Sequence, residues 1–251
     1  LLLVNIEGSE NFTPIKDFID GSKNCIVPGG YLFFSYNISS SSSNVKKFTH
    51  SIIQAHKNKK SILPYISIDH EGGDVNRIKH ISFPDLPSPN YIANNYDLKK
   101  AYDVYSKDAK LLKELGININ FAPIAEVCTD KNADFLSTRS FGNFDKVTKY
   151  GACQINAFND QGIFSVLKHY PGNSIDDPHT SKSILDVSEE YFYNNLLPPF
   201  EYLLNFNPEG VLISHVIIPS IDSVSSCFCA CISRCVIHLR HCTDCQEQRC
   251  D

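Results

Sequence analysis

The sequence predicts an α/β protein whose parallel strands wind into a (β/α) barrel of the TIM type, incomplete at about six of the eight β/α units. Three observations predict it. Short apolar runs alternate with amphipathic helical stretches almost without a break up to Ser214. No glycine-rich phosphate loop follows the first strand, which argues against a nucleotide-binding sheet. Four successive strands end in polar residues, at Asp69 to Gly73, Asn120 to Pro123, Lys168-His169 and Ser214-His215. In a parallel α/β fold all C-terminal strand ends lie on one face, where barrel enzymes carry their chemistry.

The elements follow in order. Leu1 to Ile6 is the first apolar run, and Phe12 to Ile19 has helical spacing with Pro14 near its start. Gly29-Gly30 opens the second strand, Tyr31 to Tyr36, and Ser39 to Ser43 is a low-complexity spacer. Val45 to Lys57 is a helix with Phe48, Ile52 and Ile53 on one side and lysines on the other. Ile62 to Ile68 is the third strand, and Pro84 to Pro89 a proline-punctuated loop. Leu98 to Leu115 is a long amphipathic helix stopped by Gly116. Ile117 to Phe121 is the fourth strand, Lys146 to Asn159 a helix stopped by Gly162, and Phe164 to Leu167 the fifth strand. Val187 to Phe206 is a helix with Ser188 as N-cap and Glu189-Glu190 in its first turn, and Gly210 to Ser214 is the sixth strand.

Composition narrows the function classes. The 251 residues carry a net charge of −5, with 42% hydrophobic and 20% charged residues, as in globular proteins. No basic face for nucleic acid is evident, and no apolar run nears the roughly 20 residues that span a bilayer. The first residues, LLLVNIEG, are too short for a signal segment and lack a basic flank, so the expected location is cytoplasmic.

The most informative stretch is SVLKHYPGNSIDDPH, Ser165 to His179. Lys168 and His169 stand at the end of a buried strand, where they are costly without a polar partner or ligand. Asp177, two residues before His179, can hold that imidazole in one orientation and raise its affinity for a proton.

Five stretches in order carry a family resemblance: SIDHEGGDVNRIK (Ser67 to Lys79), GININFAPIAEV (Gly116 to Val127), STRSFG (Ser137 to Gly142), LKHYPGNSIDDPH (Leu167 to His179) and GVLISHVIIPSID (Gly210 to Asp222). They resemble the N-terminal barrel of family 3 glycoside hydrolases, in particular the β-N-acetylhexosaminidase branch. The likeness covers residues 1–224, expected as one domain. It implies retaining hydrolysis of terminal β-N-acetylglucosaminides with no cofactor or metal, acting on an N-acetylglucosamine-containing saccharide or muropeptide, as in cell-wall recycling. Carried over by motif, Asp69 would accept from two sugar hydroxyls and Arg77 would steady its loop. Arg139, Lys168 and His169 would grip hydroxyls of the same sugar. His179, polarised by Asp177, would be the general acid/base, an unusual choice where two carboxylates are normal.

Four departures stand out. The loop reads Gly172-Asn173-Ser174 where the family usually has Gly-His-Gly, and Pro178 separates Asp177 from His179, which should stiffen it. Position 70 is His in place of the commoner Gln, expected to be a tolerated polar swap. The family's aspartate nucleophile, in a Gly-Phe-Asp-Gly type of run after strand seven, has no counterpart. Asp244 and Asp251 follow no strand-like run, so no nucleophile is assigned.

Residues 225–251 differ in kind. Cys25, Cys128 and Cys153 are scattered singly, whereas seven cysteines fall between Cys227 and Cys250. Cys242 and Cys245 with His238 and His241 have zinc-like spacing, to which Cys227, Cys229 and Cys231 could add ligands. Disulfides in an oxidising compartment are a second reading, and a tail foreign to the domain, as from a shifted reading frame, is the third. A catalytically silent sugar-binding remnant is the alternative to an active hydrolase. An unclosed barrel also leaves two strand edges, from which self-association is expected.

Overall fold

The structure is a computed structural model that describes residues 3–13, 27–81, 84–176 and 182–223. Six parallel strands pair strictly in chain order: β1 (Leu3–Asn5), β2 (Gly30–Phe33), β3 (Tyr65–Ile68), β4 (Ile119–Asn120), β5 (Phe164–Tyr170) and β6 (Gly210–Ile213). A doubly wound sheet reverses its strand order at a switch point. This one never reverses, so it is the curled wall of a barrel, with six strands among the described residues, as the alternation of elements predicted.

The long helices lie outside the sheet: α1 (Ser42–Asn58), α3 (Leu98–Glu114) and α5 (Phe144–Gln161), with the short α2 (Pro89–Asn95) between the first two. Their apolar faces bury Phe48 and Ile52 from α1, Tyr105 and Leu112 from α3, and Ile155 and Phe158 from α5 against Ile66, Ile68 and Leu167 of the strands. Asp97 and Asn143 cap α3 and α5 by accepting from the amides of Lys100 and Lys146. Gly116 ends α3 with a positive φ of 83°, and a Cβ there would meet Thr49 Oγ1 at 2.5 Å.

Several boundaries differ from expectation for local reasons. β2 stops at Phe33 because Ser35–Asn37 form a 3-10 turn, in which Asn37 Oδ1 accepts from the Phe34 amide. β3 starts only after Pro64, which has no N–H to give the ladder, and leaves Ile62 and Leu63 exposed. The expected loop at Pro84 to Pro89 runs into α2, capped by Ser88. A short α4 (Ala133–Leu136) and a 3-10 turn at Ser137–Arg139 follow β4 and carry no apolar period by which to find them. The single helix expected over Val187 to Phe206 is instead α6 (Glu189–Tyr191), a π turn at Phe192–Leu196 and α7 (Pro198–Leu204). Pro198 and Pro199 supply no amide hydrogen, so the regular ladder cannot pass through them. Ser188 caps α6 as predicted. The helix expected at Phe12 to Ile19 falls largely outside the described residues, as do Cys25 and the cysteine-rich tail.

Among the described residues, β1 and β6 are the sheet's edges, and Leu3 of β1 and Leu212 of β6 are exposed. Unpaired edges with apolar side chains template association. The chain is expected to associate as its concentration rises, by sedimentation velocity; a monomer throughout, unfolding in urea in one cooperative step, would contradict this.

Candidate functional site

Every strand from β3 to β5 delivers polar side chains to the C-terminal rim. β3 ends into Asp69, His70 and Glu71, and the chain then doubles back, Glu71 N–H donating to Val75 O at 2.8 Å. Gly72 makes this turn with φ of 93°, and a Cβ on it would lie 2.3 Å from Pro87 O, so the space admits no side chain. The turn returns Arg77 over the strand end.

Lys168 lies within β5, two residues before its end, its side chain 1% exposed. Its ammonium bonds Asp69 and lies 2.6 Å from Glu71 Oε1. Glu71, also 1% exposed, receives Arg139 through two bonds of 2.8 Å, from Nε to Oε2 and from Nη2 to Oε1. Such a fork-to-fork pair fixes the guanidinium plane. Arg77 Nη2 approaches Asp69 Oδ2 at 3.7 Å. Burial alone pushes the Glu71 carboxyl up, but Lys168 and Arg139 together outweigh it and hold the pKa at about 2. Burial likewise works against the Arg139 cation, yet its bonds to Glu71 keep the guanidinium above its usual range.

His169 joins the same rim by another carboxylate. The segment after β4 is stitched to β5, with Lys168 N–H donating to Pro123 O and Ala125 N–H to Lys168 O, and this brings Glu126 beside His169. Glu126 Oε1 lies 2.7 Å from His169 Nδ1 and accepts from the His169 amide at 3.1 Å. The same carboxylate accepts from Asn173, from its backbone at 2.7 Å and its side chain at 2.9 Å. Phe135 stands edge-on to the His169 ring at 5.9 Å and under the Arg139 guanidinium at 5.1 Å, which closes the circle.

Asp69, Arg77, Arg139, Lys168 and His169, scattered over 100 residues of chain, thus meet in one connected cluster. Asp177 and His179 lie outside the described residues. The segment holding them is bracketed by Ser174 and Ser183, whose buried hydroxyls meet at 2.7 Å. At the end of β6, Ser214 Oγ accepts from the Val216 amide. A cleft of about 170 Å³ opens next to the cluster, lined by Glu126, Pro171, Gly172 and Tyr191 among others. No group of three or more metal-ligating side chains occurs among the described residues.

Sequence reasoning missed Glu71, Glu126, Phe135 and Asn173. Glu71 had a signal, standing two residues from Asp69 in the glycine turn. Glu126 had a weaker one, a lone acid in the apolar run Phe121 to Val127. His70, expected as a tolerated polar swap, has both its ring nitrogens bonded, to Asp108 and to the Arg77 amide.

The family model for the glycosyl hydrolase family 3 N-terminal domain matches residues 25–241. The chain belongs to that family. This family 3 domain is 33% identical over 205 residues to β-hexosaminidase A of Pseudoalteromonas piscicida, covering 78% of this chain and 34% of that protein. It is 28% identical over 159 residues to the β-hexosaminidase LpqI of Mycobacterium tuberculosis, covering 62% of this chain and 41% of that protein. The chain therefore spans less than half the length of these relatives. Among solved structures, a fungal multi-domain family 3 β-N-acetylglucosaminidase superposes with a TM-score of 0.81 at 26% identity, over 90% of this chain and 27% of that one. NagZ of Neisseria gonorrhoeae, solved with N-trifluoroacetyl-D-glucosamine, superposes with a TM-score of 0.76 at 22% identity, over 90% of this chain and 65% of that one. The fold of the family 3 domain is thereby shared with these solved structures.

Proposed function

We propose that this chain forms the sugar-gripping part of a retaining hydrolase of terminal β-N-acetylglucosaminides. The observation that carries the reading is the cluster in which Lys168 is buried between Asp69 and Glu71 while Asp69 keeps 28% of its side chain exposed. A buried ammonium with two carboxylates is costly to build, and a rim of fixed donors around a half-open carboxylate suits a polyhydroxylated ring. Asp69 would accept from two hydroxyls. Lys168, Arg139 and His169 would fix the ring, with Arg77 steadying Asp69.

In the chemical step His179, oriented by Asp177, would protonate the leaving glycosidic oxygen and later take the proton of the attacking water. No residue of this chain is assigned as nucleophile. The alternative reading is a domain that binds the sugar through these fixed donors without turning it over. The names of the relatives support the substrate class, β-hexosaminidases and β-N-acetylglucosaminidases.

Titration calorimetry with N-acetylglucosamine is the first test, with binding expected in the wild type and lost in Asp69→Ala. Release of p-nitrophenol from its β-N-acetylglucosaminide, abolished by His179→Ala, would establish the hydrolase. Binding without release would establish the silent reading. No binding by the wild type would refute both.

A further inference from the structure

Arg77 differs from its partners in the cluster. It stands on the loop after the glycine turn, eight residues past Asp69, and no strand carries it. Its Nε is buried without a partner among the described residues, and its approach to Asp69 is the loose one at 3.7 Å. The hydrogen bond that locates it there is its backbone N–H, which donates to His70 Nδ1 at 3.2 Å.

The His70 ring is fully buried, and its Nε2 lies 3.1 Å from Asp108 Oδ1 on α3. An imidazole that accepts at Nδ1 has its lone pair there, so Nε2 carries the proton and donates to the carboxylate. The backbone of His70 is held as well, its N–H donating to Asn120 Oδ1 at 3.0 Å and its carbonyl accepting from Asn120 Nδ2 at 2.6 Å. The ring thus has one free choice, its tautomer, and Asp108 makes it.

Asp108 has no other evident work. It lies in the body of α3, away from the cap, and its Oδ2 is buried with no partner among the described residues. The neighbouring Tyr105 hydroxyl, on the same helix, is also buried and unpartnered. A buried carboxylate is costly unless something pairs with it, and here the pair is His70.

We infer that His70 and Asp108 are positioning residues that set Arg77 at the rim: the helix fixes the imidazole tautomer, and the imidazole fixes the Arg77 backbone. The inference rests on the proposed sugar site for its purpose, while its geometry can be judged without any ligand.

The test uses the full chain with ¹⁵N-labelled histidine. Long-range proton–nitrogen spectra are expected to show His70 protonated on Nε2 and bare on Nδ1, and Asp108→Ala should abolish that single tautomer. Hydrogen exchange of the Arg77 amide should accelerate about 10-fold in Asp108→Ala, the scale of one lost hydrogen bond, with Leu111 and Leu112 of α3 unchanged. Should Asp108→Ala fail to fold, two His70 variants decide. His70→Asn places an oxygen where Nδ1 was and should keep the Arg77 amide protected; His70→Gln reproduces only Nε2 and should not. Sugar affinity should follow, falling about 10-fold in His70→Gln and less in His70→Asn. A wild-type His70 protonated on Nδ1, or equal Arg77 exchange in the two His70 variants, would overturn the inference. Failure of the wild type to bind sugar would instead refute the proposed function, leaving tautomer and exchange to judge the link.

Discussion

Lys168→Met is expected to lower unfolding stability by about 3–5 kcal/mol, the cost of removing one partner from a buried ion pair. The substitution keeps most of the side chain's volume, so the loss reports charge more than a cavity. Glu71 would keep Arg139, but Asp69 would be left facing Arg77 at 3.7 Å, and two carboxylates would remain near each other with less cation between them. Lys168→Ala should cost more, because a cavity adds to the lost charge. Urea unfolding of both variants beside the wild type measures this. A loss below 1 kcal/mol in Lys168→Met would mean that the ammonium is not buried between the carboxylates. Under the proposed function, both variants should also lose N-acetylglucosamine binding.

Acid should act on the same cluster from the opposite side. Burial raises the pKa of the Glu71 carboxyl, but its two cations lower it by more, so it ionises at about 2 where its ordinary value is 4.5. A folded-state pKa below the unfolded one means that the unfolded chain binds the proton first as pH falls. The stabilisation from ionised Glu71 is therefore complete above pH 4.5, declines between 4.5 and about 2, and is absent below. Its size, from the free energy of one pKa unit, is about 3 kcal/mol. Glu71→Gln should be less stable than the wild type at neutral pH and show a shallower loss across that window. Parallel acid limbs for the two proteins would show that Glu71 does not titrate as the geometry requires.

Much of the fold was legible in the residues because burial imposes a period on them. A two-sided apolar run such as Val166-Leu167 marks a strand covered on both faces, and the spacing of Phe48 and Ile52 marks a helix lying on the sheet. Where no period existed, as in α4, or where proline interrupted one, as at Pro198, the local hydrogen bonding decided instead. β5 runs on through Lys168 and His169 to Tyr170, although charge there reads as a strand's end. The ladder to β6 and the bonds to the segment after β4 hold the backbone extended, and the buried carboxylates accommodate the lysine.

By itself the sequence determined the alternation of elements, the parallel barrel wall and the strand-end residues Asp69, Lys168 and His169 that meet at one rim, since apolar periodicity and strand-end polarity are properties of the chain read in order. Only the tertiary structure decided which charge meets which. Glu71 with Arg139 and Lys168, Glu126 with His169 and Asn173, and Asp108 with His70 are pairs separated by 38 to 97 positions. Their partnership exists because strand ends converge in space, and in a buried setting each charge is stable only beside its counterpart.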